Sequence, residues 1–292
     1  MATTPSPLAS SASFTIEDVN VTIPPYLIEH GARCVAAYHR RPPCEARFRK
    51  LAARLLPLVD GHVIDCGTWL GDNAIPWAAM LKASGKPRRV FAFDPNPANI
   101  DFVHNLSAAN DLDQHLVARI GRLDEHASGK GSSRPGVIPR FTIAQLAASV
   151  SEGWAGERLG FVHLDVNGGE EGVLRGAGAV LAKDRPLIAT EDESGRNGTR
   201  LQRVRSLLEE LGYSGRELPE VCGGARVCRN YVWTHPASHA GAIDEIVREL
   251  AEPKGRPLRW CGVGDPGWSD PLRRERFDRA NASHLGVRCG GE

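Results

Sequence analysis

Short apolar runs alternate with stretches of helical spacing along the middle of this chain, and that alternation restricts the fold more than any other feature. Val63-Ile64-Asp65-Cys66 is an apolar run closed by Gly67; behind it Ala74–Leu81 reads as a helix opened by Asp72 and Asn73, with Pro76 in its first turns. Val90–Asp94 predicts a second buried strand. Pro97–Ala109 predicts a helix with Ile100, Val103 and Leu106 on one face, and Leu116–Ile120 a third strand. Thr142-x-x-Gln145 has the spacing of a capping box. Gly160–Asp165 and Pro186–Thr190 read as the fourth and fifth strands, separated by a helix over Glu170–Leu181. Leu201, Val204, Leu208 and Leu211 make a helical stripe closed by Gly212, and Arg226–Thr234 is β-rich. Strands alternating with helices mean βαβ units, so the fold class is α/β, with a doubly wound, mainly parallel sheet and a late strand.

The domain limits follow from where this pattern starts and stops. Phe48, Leu51, Leu55 and Leu56 place an amphipathic helix just before the first strong strand, so the domain is expected over residues 45–235. Residues 1–44 are expected to be a flexible leader and extension. Residues 236–292 are expected to hold one helix around Ile243–Leu250 and then an irregular Gly/Pro/Arg/Trp-rich tail. The stretch 128–140 is a loop by composition.

Composition removes several function classes. Lys+Arg 36 against Asp+Glu 35 leaves a net charge of +1, so no global field recruits nucleic acid or anionic lipid. The seven cysteines are scattered without C-x-x-C spacing, which indicates neither a zinc site nor a disulfide framework. No apolar run approaches the ~18 residues of a membrane span, and the Ser/Thr/Pro-rich start lacks the features of a secretory signal. A cytoplasmic protein is expected.

The chemistry is expected at the carboxyl ends of the strands, where open α/β sheets bind their ligands. Gly67 and Gly71 would let backbone approach a ligand closely, Asp65 would accept from an ammonium or hydroxyl, and Asp94 would chelate a ribose. The spacing is G-x-x-x-G, without the third glycine of a dinucleotide fingerprint, which disfavours an NAD-dependent oxidoreductase. A glycine turn between two strand-end acids suits a nucleoside lacking a diphosphate, such as S-adenosylmethionine. The second constellation, Asp165-Val166-Asn167-Gly168-Gly169-Glu170, sits at the end of the fourth strand, beside the same crevice. Glu170, in the first turn of the next helix, also suits that helix's N-terminus.

Asp65-x-Gly67-x-x-x-Gly71, Phe93-Asp94-Pro95-Asn96-Pro97 and above all Asp165-Val166-Asn167-Gly168-x-Glu170-x-x-Val173-Leu174-x-Gly176-Ala177 resemble the FkbM family of S-adenosylmethionine-dependent methyltransferases. The resemblance covers about residues 45–235. It implies a class I, Rossmann-like methyltransferase fold and methyl transfer, usually to oxygen, on a small-molecule or sugar-like acceptor. It implies a cofactor held by Asp65, Gly67, Gly71, Asn73, Asp94, Asn96 and Asp165, with Asp165, Asn167 and Glu170 shaping the transfer site and no metal. The family usually has glutamate where this chain has Asn167, and that departure feeds the rival reading of a catalytically impaired binding module.

Other residues carry weaker expectations. His163 reads as a buried strand residue rather than a base. Glu191-Asp192-Glu193 can line the acceptor pocket, although an acidic loop is more often solvated. Trp260 and Trp268, among arginines of the tail, read as anchors of a solvated segment rather than an RNA-binding surface.

Overall fold

The computed structural model describes residues 12–16, 19–24, 45–128, 137–149, 154, 157–192, 199–218 and 229–251. Expectations on residues 129–136, Glu193 and the tail from 252 onward lie outside the described residues.

The strands are β1 (Ala12–Ile16), β2 (Val19–Ile23), β3 (His62–Cys66), β4 (Val90–Asp94), β5 (Leu116–Ile120), β6 (Arg122–Leu123), β7 (Arg140–Phe141), β8 (Leu159–Leu164), β9 (Leu187–Asp192), β10 (Ser214–Leu218) and β11 (Arg229–Thr234). The helices are α1 (Ala46–Leu55), α2 (Ala74–Ala83), α3 (Pro97–Ala108), α4 (Ile143–Ala147), α5 (Glu170–Arg175), α6 (Gly178–Asp184), α7 (Thr199–Glu210) and α8 (Ala242–Ala251). Seven strands form one sheet in the order β10-β11-β9-β8-β3-β4-β5. β9, β8, β3, β4 and β5 run parallel, and β11 is antiparallel to both of its neighbours.

Strand alternation sorts the apolar residues into two layers. Val63, Ala92, Phe161 and Ala189 join one core with Phe48 and Leu51 of α1, Trp77 of α2 and Val103 of α3. Ile64, Phe91, Val162 and Ile188 join the other with Leu146 of α4, Val173 of α5, Leu181 of α6 and Leu208 of α7. Both faces of the central strands are therefore covered. This is why these strands read as continuous apolar runs rather than alternating ones.

Four differences from the expectations have physical causes. Part of the supposed leader is a hairpin, with β1 paired to β2. Val21 and Ile23 are fully buried in the first core, and the Thr22 backbone exchanges hydrogen bonds with the Asn110 side chain at 2.8 and 2.9 Å. The helix expected over 170–181 is interrupted at Gly176 and Ala177, between α5 and α6; a Cβ at Gly176 would lie 2.3 Å from the Asp124 carbonyl oxygen, so only glycine fits there. β10 was not expected: Ser-Gly-Arg-Glu-Leu has little apolar signal because it forms a sheet edge, with Gly215 under the Trp233 ring.

The fourth difference moves the domain's end beyond residue 235. α8 packs Ile243, Val247 and Leu250 into the first core, and Arg216 of β10 pairs with Asp244 at 3.0 Å. Deleting residues 253–292 is therefore expected to preserve a cooperative melt, whereas ending the chain at 235 uncovers that face. The cost is roughly 1.5–3 kcal/mol for each of the three side chains whose burial is lost. Thermal melts of the two truncations check this, and equal midpoints would place α8 outside the core. Among the described residues no helix is long and apolar enough to cross a membrane.

Candidate functional site

Parallel register brings the carboxyl ends of β3, β4, β8 and β9 to one edge of the sheet. Cys66 pairs with Phe93 and with Leu164, so the turn after β3, Asp94 after β4 and Asp165 after β8 sit side by side. The β3 turn is tightly wound, with positive φ at Gly67 (86°), Trp69 (46°) and Gly71 (74°).

The two glycines are needed for a different reason from the expected one. A Cβ on Gly67 would lie 1.8 Å from the backbone oxygen of Asp165, and one on Gly71 would lie 3.0 Å from Ile75 and Val103. Protein, not ligand, fills the space each missing side chain leaves. The Gly67 and Thr68 N–H groups both donate to the Phe93 carbonyl, at 2.9 and 3.0 Å, while Asp165 N–H donates to Cys66 at 2.9 Å. The turn is thereby fastened to both neighbouring strands.

Asp65 is also placed otherwise than expected. Its residue is 0% exposed, and both carboxylate oxygens are used internally. Oδ2 accepts from the Thr68 hydroxyl at 2.8 Å, and Oδ1 lies 2.7 Å from Nδ1 of His163. The cause is alternation: Asp65 points into the layer beneath α1 and α2, opposite its register partner His163, and not toward the crevice. Asp65 presents no carboxylate oxygen to a ligand here.

Asp94 remains at the edge, 7% exposed. Its Oδ2 accepts from Trp69 N–H at 3.0 Å, and its Oδ1 from Asn96 N–H at 2.8 Å and the Asn99 amide at 3.0 Å. Burial raises its carboxyl pKa above the ordinary value, opposed by those same hydrogen bonds. Three donors occupy three of the roughly four lone-pair sites of a carboxylate. One further hydroxyl can therefore be accepted without breaking a bond, whereas chelating a pair would displace a donor.

Asn96 caps α3, accepting from Ala98 N–H at 3.0 Å. Asn73 stands at the N-terminus of α2 without a side-chain cap bond, and its buried amide oxygen has no hydrogen-bond partner among the described residues. Cys66 is buried behind the turn, which pushes its thiol up to about 12 and makes it inert.

The second constellation forms a pocket. Asp165, Asn167, Gly168, Glu170, Glu191, Asp192 and Arg200 line a small cleft. Asn167 and Gly168 are both left-handed, at φ 52° and 100°. Asparagine is among the non-glycine residues that best tolerate that region. Oε1 of Glu170 accepts from the backbone N–H groups of Val166 (3.3 Å) and Gly168 (3.0 Å). Glu170 therefore ties the turn together through one of its two carboxylate oxygens.

The acidic run after the fifth strand is not a solvated loop at its start. Glu191 and Asp192 close β9 and face the pocket, and Asp192 is 7% exposed. Arg200, in the first turn of α7, was not anticipated, and no sequence pattern marks it. Its guanidinium reaches the Asn167 carbonyl at 3.4 Å and occupies the place of a Gly168 side chain, which would come within 2.3 Å of it. Among the described residues, no three His, Cys, Asp or Glu side chains are grouped to hold a metal.

A seven-stranded sheet in this order, parallel except for β11, with a glycine turn after its central strand and acids at the ends of the next strands, defines a class I methyltransferase fold. The family model described as the methyltransferase FkbM domain matches residues 65–214, and the chain belongs to that family. No curated protein matches the sequence.

Similar solved structures include the FkbM methyltransferase of Methylobacillus flagellatus KT (13% identity, TM-score 0.44), with 70% of this chain covering 59% of that one. They also include the O-methyltransferase of Bacillus cereus in complex with SAH (15%, TM-score 0.46, 72% of this chain and 88% of that one). A third is the precorrin-6y C5,15-methyltransferase of Geobacter metallireducens GS-15 (13%, TM-score 0.40, 65% and 87%).

Proposed function

We propose that this chain is an S-adenosylmethionine-dependent O-methyltransferase acting in the cytoplasm on a small hydroxylated or sugar-like acceptor. The observation that carries the reading is the fastening of Asp165 to the β3 turn through Cys66 and Gly67. It sets the acid-lined pocket directly beside the crevice between that turn and Asp94.

The residues present fit the cofactor. Asp94 has one lone-pair site left for a ribose hydroxyl, and the unpartnered Asn73 oxygen is an acceptor at the turn, suited to an ammonium. When bound, S-adenosylmethionine supplies an electrophilic methyl group. The chain's own part is to orient the acceptor and take its proton. Glu170 is committed to backbone N–H groups and Asn167 has no titratable group, so of the three expected transfer-site residues Asp165 is left as the base for the acceptor O–H. Holding the hydroxyl in a near-attack geometry supplies much of the remaining rate.

The cofactor assignment is tested by calorimetry with S-adenosylhomocysteine. Asp94→Ala should weaken binding by more than about tenfold, the value of a lost hydrogen bond to a charged group. Because Asp94 also holds Trp69, Asn96 and Asn99, Asp94→Asn is measured beside it, and a thermal melt verifies that each variant is folded. Unchanged affinity in both folded variants would remove Asp94 from the cofactor site.

A further inference from the structure

We propose that His163 is a positioning residue for the cofactor: paired with the buried Asp65, it fixes the carboxylate that anchors Thr68 and with it the turn whose Trp69 N–H holds Asp94. The inference rests on the reading that this turn and Asp94 hold the cofactor.

The geometry forms one chain of contacts. Nδ1 of His163 lies 2.7 Å from Oδ1 of Asp65, whose Oδ2 accepts from the Thr68 hydroxyl at 2.8 Å. Trp69, the next residue, is left-handed and donates its N–H to Asp94 at 3.0 Å. Two residues after His163, Asp165 follows β8 with its backbone against Gly67. His163 is 2% exposed, so it does not reach an acceptor itself. The Phe48 ring of α1 stacks on it at 4.7 Å and Trp77 of α2 meets it edge-on at 5.6 Å. A cation over the face of the Phe48 ring is favoured. Nε2 has no hydrogen-bond partner among the described residues, so Asp65 is the directional anchor of the ring.

The surrounding charges favour the protonated form. Asp65 of β3 bonds the ring directly, and the charges of Glu45 before α1 and Asp165 after β8 act on it as well. Glu45 is itself held by the Asn230 amide of β11 at 2.7 Å, and Arg49 of α1 is committed to Asp72 at 2.5 Å. Burial alone would lower the His163 pKa, but the hydrogen bond and charge of Asp65, with the other acids, raise it above 6.5. A raised folded-state pKa gives a contribution that is complete below the unfolded value and is lost as pH rises through the folded one. Deprotonation leaves a buried carboxylate beside a neutral ring and loosens the turn.

The test is S-adenosylhomocysteine affinity by calorimetry between about pH 5.5 and about pH 9, with the His163 ring followed by nitrogen NMR over the same range. In the wild type, affinity should fall by about tenfold as pH rises, with the midpoint of the His163 titration. His163→Asn keeps a neutral donor at the Nδ1 position but no charge, and should bind weakly and flatly across the range. A wild-type affinity that stays level while the ring titrates overturns the inference, as does a His163→Asn variant with the wild-type profile. Should that variant not fold, the match or mismatch of the two wild-type midpoints decides. A wild type that binds no S-adenosylhomocysteine at any pH overturns the cofactor reading itself and this inference with it.

Discussion

Asp165→Asn is expected to lower methyl transfer by roughly 10²–10⁴-fold, the range associated with removing a general base, while leaving S-adenosylhomocysteine affinity within a few-fold. The substitution is nearly isosteric, and the backbone ties of residue 165 to Cys66 and Gly67 do not depend on its side chain. The loss should appear in kcat rather than in cofactor affinity. A methyl-transfer screen over pooled hydroxylated acceptors, run with wild type and variant, measures it. Turnover that survives the substitution would move the base to Glu191 or Asp192, two further acids that line the pocket. A wild type that binds cofactor and methylates nothing would instead favour a binding module.

Gly67→Ala should be the most damaging glycine-to-alanine change among the described residues. An alanine at φ 86° is strained, and its Cβ would stand 1.8 Å from the Asp165 oxygen, a backbone atom that cannot swing aside. The end of β8 or the β3 turn must shift, with a cost on the order of 4 kcal/mol or more, at the upper end for single substitutions. Urea melts give the value, and cofactor affinity should vanish in whatever folded protein remains. A stability change under about 1 kcal/mol would show that the strand ends are far softer than their contacts indicate.

How much of this was legible depended on whether the signal was local. Val90–Asp94 matches its expected limits because a parallel strand buried on both faces leaves a nearly unbroken apolar run, and Leu116–Ile120 matches although it is a half-buried edge strand that carries Arg119. Thr142 caps α4 as its spacing implied, accepting from Gln145 N–H at 2.9 Å. The β10 edge strand left no run to read, and α8 looked detached because its partners Phe48 and Leu51 are about two hundred residues away in the chain.

In the site, sequence pattern found the right strand ends but not the direction of the side chains. Asp65 and Asp94 look alike in sequence, yet Asp65 turns inward to His163 and Asp94 stays at the edge. Their depth along the sheet distinguishes them: Asp65 stands level with Ala92 and His163, whereas Asp94 lies two residues further toward the carboxyl edge. Arg200 enters through a helix start far from any motif, and nothing short of tertiary structure could have placed it.

The left-handed backbone at Asn167 also limits which sequences lie within easy reach of this one. At φ 52° few side chains are welcome beyond glycine, asparagine and aspartate, and of these only aspartate is acidic. Codons for asparagine and aspartate differ by a single base. The pocket is thus one small heritable step from a fifth carboxylate, taken without bending the turn that Glu170 ties. Like-charge repulsion among the acids would then raise the proton affinity of whichever carboxylate is least hydrated.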